Sequence, residues 1–289
     1  MKYLMLSLLL LTSCAKETKI YSIYAEVFGK TLIISTSDKM AGAIDSVIWD
    51  NKQFINSVDH GREMQTATTY DGYGECLNPT EAGSGLDGDS STSQASDISV
   101  AANEMFTTSK MAYWVRVGQP YEFGCGVPRQ YFTKNTTNLS NDILKKHVTI
   151  GSLGFKNVIK EDISVYVAED HQSSTFEVVT GYMTAEFSEF YILDKSGITA
   201  LVKNYASYEN KPTIFATKDG KYAMGVYFPA FNALTDVYLT YQFDNNTDTK
   251  KWSIYRRKEA TPQGYYNFTV YEIIGTLEQV ETTMKELIK

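Results

Sequence analysis

The chain is poor in several residue types that carry chemistry or shape. Its 289 residues include three histidines, three cysteines and six prolines. The histidines stand at positions 60, 147 and 171, with no spacing that lets a pair share a metal ion, so no metal site is expected. A glycine-rich phosphate loop, a Gly-x-Ser-x-Gly elbow and a dinucleotide fingerprint are all missing, so no cofactor is expected either. Lys and Arg total 27 against 34 Asp and Glu, a formal net charge of −7. Such a balance gives no electrostatic footprint for nucleic acid. No run reaches the ~20 apolar residues that a membrane-spanning helix needs. What is present instead is Tyr (21) and Phe (14), and this aromatic enrichment suits strands.

The first residues read as a secretory signal. Lys2 precedes Leu4 to Leu11, which is apolar apart from Ser7, and small residues follow. Leu11-Thr12-Ser13-Cys14 resembles the bacterial lipobox, where the signal is cut before a cysteine that carries diacylglycerol. The resemblance implies a signal peptide over residues 1–13, lipidation of Cys14, and a tether over 14–19. The protein would then be held to a membrane through that lipid. No aspartate follows the cysteine, which favours the outer membrane of a bacterial cell envelope. Cys76 and Cys125 remain, each in a Gly-rich loop, as a candidate disulfide in an oxidising compartment.

Residues 20–289 read as a single all-β domain, a large antiparallel sandwich ending in a short helix. Asp50-Asn51 between two apolar segments predicts a type I′ hairpin turn, since both residues tolerate positive φ. Further turn signals at 194–197, 218–220 and 244–246 separate strands in the second half. Leu277, Val280, Met284, Leu287 and Ile288 share one helical face, and Thr276 with Gln279 forms a capping-box signature. Trp49 and Trp114 are read as core. Residues 84–97 read as loop, and Tyr121, Phe123, Tyr131 and Phe132 are candidates for a sugar-stacking platform.

Residues 54–83 are too polar to form a core. Asp59, His60, Arg62, Gln65, Glu75, Asn78 and Glu81 fall close together among four glycines. Such a segment suits a pocket wall whose backbone approaches a ligand closely. In an extended segment His60 and Arg62 share one face. Glu75 and Glu81 are the carboxylates that glycosidic cleavage calls for, with His60 as a partner in proton transfer. Asp59, Arg62, Gln65 and Asn78 are then the candidate substrate-binding residues.

Residues 41–55, Ala-Gly-Ala-Ile-Asp-Ser-Val-Ile-Trp-Asp-Asn-Lys-Gln-Phe-Ile, resemble the opening hairpin of galactose-mutarotase-like proteins. Asp59-His60-Gly61-Arg62-Glu63-Met64-Gln65 is similar to the Gly-Arg-containing strand that follows it in carbohydrate-active members. The resemblance implies a β-supersandwich with a sugar-binding cleft on its concave face. It implies a glycan ligand, bound and cleaved by hydrolysis or β-elimination. A non-catalytic glycan binder or a structural envelope lipoprotein is the competing expectation.

Overall fold

The computed structural model describes residues 18–58, 61–201, 206–243 and 249–289. Cys14 and the rest of the leader lie outside them, as do Asp59 and His60. The described chain is all-β, with large antiparallel sheets and one short C-terminal helix.

The first four strands, Ile20–Val27, Lys30–Ser37, Ser46–Trp49 and Lys52–Gln53, form their own antiparallel sheet. Asp50 and Asn51 turn its third strand into its fourth, both at positive φ (50° and 61°), as the primed hairpin turn requires. Ile23, Val27, Leu32, Ile34, Val47 and Trp49 are buried on one face of this sheet and join the main core.

The second sheet is much longer. Its spatial order begins Gly197–Ala200, Glu189–Asp194, Thr213–Ala216, Ala223–Tyr227, Gly264–Gly275, Phe155–Val167 and Leu139–Ser152. It continues through Glu104–Tyr113, Pro79–Thr80, Met64–Tyr70, Ser174–Met183, Lys250–Lys258, Asp236–Gln242 and Ala206–Glu209. Gln94–Ala101 pairs with Glu104–Tyr113, so part of the segment expected to be loop is a strand. Its side chains are mostly exposed, which leaves little hydrophobic signal to find it by.

Alternation along the strands decides the layers. Trp252 and Ile254 face the core, as do Leu144 and Val148, and Val270 and Ile274. Lys251, Ser253 and Tyr255 therefore face the other way. Gly181 exists because of this packing: a Cβ there would sit 2.4 Å from the Trp252 ring. The helix Leu277–Leu287 covers the opposite face near one end of the sheet, packing Val280 and Met284 against Ile214, Ala223 and Ile273. Its start is the expected capping box, with Thr276 Oγ1 accepting from Gln279 N (3.3 Å) and Gln279 Oε1 accepting from Thr276 N (2.9 Å).

Candidate active site

Strand Ser174–Met183 carries an irregularity that builds the site. Glu177 pairs with Tyr255 and Ala67, whereas Thr180 pairs with Ser253 and Gln65. Three steps on this strand match two on each neighbour, so it holds a β-bulge. Residues 177 and 180 would otherwise point to opposite faces. The bulge turns both to the same face, where Thr180 Oγ1 donates to Glu177 Oε2 at 2.8 Å. Ser253 Oγ and Lys251 Nζ reach the same oxygen, each at 3.2 Å.

These side chains floor a cavity of ≈ 360 Å³ whose walls include Glu75, Asn78, Tyr121, Tyr182, Lys251 and Tyr255. Glu75 enters on the 3₁₀ turn Gly74–Leu77. Asn78 Nδ2 donates to Glu75 Oε2 at 2.6 Å. The turn is tied down by a disulfide between Cys76 and Cys125 (Cα–Cα 5.9 Å). Gly126 lets the two loops close up there: it has φ +73°, and a Cβ on it would lie 2.5 Å from the Gly72 carbonyl. The bond links the Glu75 turn to the hairpin Pro120–Cys125/Gln130–Phe132, which brings Tyr121 to the cavity.

Two further compartments adjoin this one. One of ≈ 280 Å³ is lined by Arg62, Ser84, Asp87 and Phe243, and another of ≈ 440 Å³ by Leu86, Pro120, Tyr121 and Phe123. Trp114 lines all three. It is thus a wall of the cleft, unlike Trp49, which is buried in the core. Arg62 lies over the Phe243 ring at 5.4 Å and donates to Thr249 Oγ1 at 3.3 Å. The Asp87 loop is pinned rather than open. Asp87 Oδ2 accepts from Ser84 N and Thr92 N, both at 2.7 Å, and Oδ1 from Arg116 at 2.6 Å.

The two cleft carboxyls are pushed apart electrostatically. Burial, and then the nearby Glu177 charge, raise Glu75 above the usual carboxylate range despite its bond from Asn78. Burial also opposes the Glu177 charge, but Lys251 and the bonds from Thr180 and Ser253 outweigh it and hold Glu177 low. Lys251 is buried too, yet the Glu177 charge keeps it firmly protonated. Burial pushes the Tyr182 and Tyr121 phenols up to about 12. The arrangement is a carboxyl raised in pKa beside one held low, in a pocket with aromatic walls.

The residues expected from sequence separate into groups. Glu75, Asn78 and Gln65 line the main cavity, and Arg62 its neighbour. Gln65 also braces the wall, its Oε1 accepting from Ala82 N (2.9 Å) and its Nε2 donating to Gly61 O (3.1 Å). Asp59 and His60 fall outside the described residues. Glu81 is not in the cleft, which corrects its pairing with Glu75. It is wholly buried, accepting from Thr66 N at 2.9 Å and paired with Lys146 at 3.0 Å. The 3₁₀ turn breaks the two-residue alternation between positions 75 and 81, so they do not share a face. Glu177 takes the place expected of Glu81. A lone acid in Phe176-Glu177-Val178-Val179 was the available signal, because a charge in an apolar strand needs a partner.

No protein-family model matches the chain, and no curated protein matches it. Among solved structures it is similar to a galactose mutarotase-like protein from Lactobacillus casei, at 6% identity over 89% of this chain and 100% of that one (TM-score 0.49). It is also similar to a GH36 α-galactosidase from Geobacillus stearothermophilus, at 9% identity over 92% of this chain and 42% of the other (TM-score 0.48). A third likeness is to heparan sulfate lyase HepC from Pedobacter heparinus, at 8% identity over 89% of this chain and 35% of that enzyme (TM-score 0.46). The chain thus spans well under half the length of the last two.

Proposed function

We propose that the cleft binds a glycan and hydrolyses it, with Glu75 as the proton donor and Glu177 as the ionised partner. The observation that carries this is the opposed state of the two carboxyls in one aromatic-walled cavity, Glu75 raised and Glu177 lowered. Glycosidic cleavage asks for that division: an acid protonates the departing oxygen while a carboxylate answers the positive charge that develops on the sugar ring. Lys251, Thr180 and Ser253 keep Glu177 ionised and fixed. Trp114 and Tyr121 offer flat apolar faces to sugar rings, and Asn78 and Arg62 offer donors to their hydroxyls.

The test is incubation of the chain with a panel of polysaccharides, reading new reducing ends and unsaturated sugars separately. New reducing ends without unsaturation, lost in Glu75→Gln and in Glu177→Gln, are expected. Unsaturated products would assign elimination instead, and binding without product would leave a lectin-like protein. The Leu11-Thr12-Ser13-Cys14 sequence supports lipid anchoring in the bacterial envelope. Metabolic labelling with radioactive palmitate, lost in Cys14→Ser, checks it.

A further inference from the structure

We propose that the cleft runs on from the carboxylate pair into an anion-binding subsite at Arg257, so that its ligand is an acidic oligosaccharide. This rests on the glycan reading above and narrows it to a substrate class.

Residues two apart on a strand share a face. Thr69, Thr175 and Arg257 stand one such step beyond Ala67, Glu177 and Tyr255, and both triplets are in register across the three central strands. The first triplet lines the main cavity, and the second lines a groove of ≈ 720 Å³. The sheet therefore gives one continuous floor. Lys251 to Arg257 is six residues of strand, ~20 Å, which is longer than one sugar ring.

Arg257 is exposed, and its backbone N donates to Thr235 O at 2.9 Å. Among the described residues its guanidinium has no hydrogen bond or ion pair. The other basic residues of the groove are accounted for. Arg256 is held by Asp236 and by the Ala230 carbonyl, while Lys258 lies 5.3 Å over the Tyr266 ring. Glu259 is the acid among the groove's lining residues. At the centre, Glu177 is already neutralised by Lys251. What the floor offers a ligand beyond the centre is an uncommitted guanidinium fork flanked by two threonine hydroxyls. Such a fork matches the paired oxygens of a carboxylate or a sulfate.

The experiment is calorimetric titration of the full chain with hexasaccharides of three kinds: uronate-bearing, sulfated and neutral. Wild type, Arg257→Ala and Arg257→Lys are compared. One acidic class should bind most tightly, which identifies the anionic group as carboxylate or sulfate. Arg257→Ala should weaken that binding about tenfold, as loss of a charged hydrogen bond does, with partial recovery in Arg257→Lys. Equal binding of neutral and acidic ligands, or an Arg257→Ala affinity matching wild type, overturns the subsite and leaves the glycan reading standing. If no hexasaccharide binds the wild type, both fall.

Discussion

The Glu75–Glu177–Lys251 group and the Glu81–Glu161–Glu272–Lys146 group are made of the same side chains and differ in setting. The first opens into a cavity on one face of the long sheet. The second is sealed in the core, where all four side chains are buried. Lys146 reaches Glu81 at 3.0 Å and Glu161 at 3.9 Å. Burial opposes its charge, but the glutamates around it outweigh that and keep it protonated. One ammonium ion cannot hold three buried carboxylates ionised. Burial pushes Glu161 up to about 7, and raises Glu272 well above the carboxylate range. In the cleft, by contrast, hydrogen bonds and a near lysine hold one carboxylate low while burial raises its neighbour. The difference teaches that the same acid and lysine side chains settle into different charge states when they border a cavity than when they are sealed in the core.

Substitutions that treat the two groups alike should separate them. The largest effect expected is on turnover: Glu75→Gln should lower kcat by ~10²–10⁴, the usual contribution of a positioned acid, while the thermal melt stays that of wild type. The corresponding interior change, Lys146→Met, should leave Glu81 unpaired and cost about 3–5 kcal/mol of stability, read by urea denaturation. If Lys146→Met unfolds like wild type, the interior group is not an ion-paired cluster and the contrast fails.

Replacing Cys76 and Cys125 together by Ser should cost about 2–4 kcal/mol, the range for a disulfide closing a loop of moderate length. Because the bond holds the Glu75 turn against the Tyr121 hairpin, this variant should also bind glycan more weakly, which titration reads. The smallest effect concerns pH. Between the ordinary 4.5 and about 7, folded Glu161 keeps a proton that the unfolded chain has released. Its stabilising contribution is therefore complete below 4.5 and falls as pH rises to about 7. Glu161→Gln should melt with wild type in acid and a few degrees above it near pH ~8. Identical pH profiles would show that Glu161 does not titrate in the folded chain.

Local features were legible in the sequence, and long-range ones were not. The Asp50-Asn51 turn and the Thr276–Gln279 cap depend on residues one to three apart, and both appear as expected. The strand-rich second half was also readable. Within the polar block, Glu75, Asn78, Arg62 and Gln65 line the cavities, but the expectation that the block forms no core is corrected: Phe54, Ile55, Met64 and Tyr70 are buried in the main core. Lys251 was missed because it meets Glu177 only through strand pairing, 74 residues away. Trp114 was taken for core, whereas it lies just past the end of the strand Glu104–Tyr113 and lines the cleft.

The bulge between Glu177 and Thr180 has a consequence for how this strand tolerates change. It works as a frame shift in side-chain parity. Up to Glu177, odd positions face the cleft, and from Thr180 onward even positions do, Tyr182 among them. A point substitution at Val178 or Val179 alters packing at one spot. Deleting either residue would leave two steps between Glu177 and Thr180, as on each neighbour, and keep Tyr182 facing the cleft and Met183 facing the core. This short stretch is therefore the place on the strand where the loss of a single residue keeps the side-chain parity beyond it.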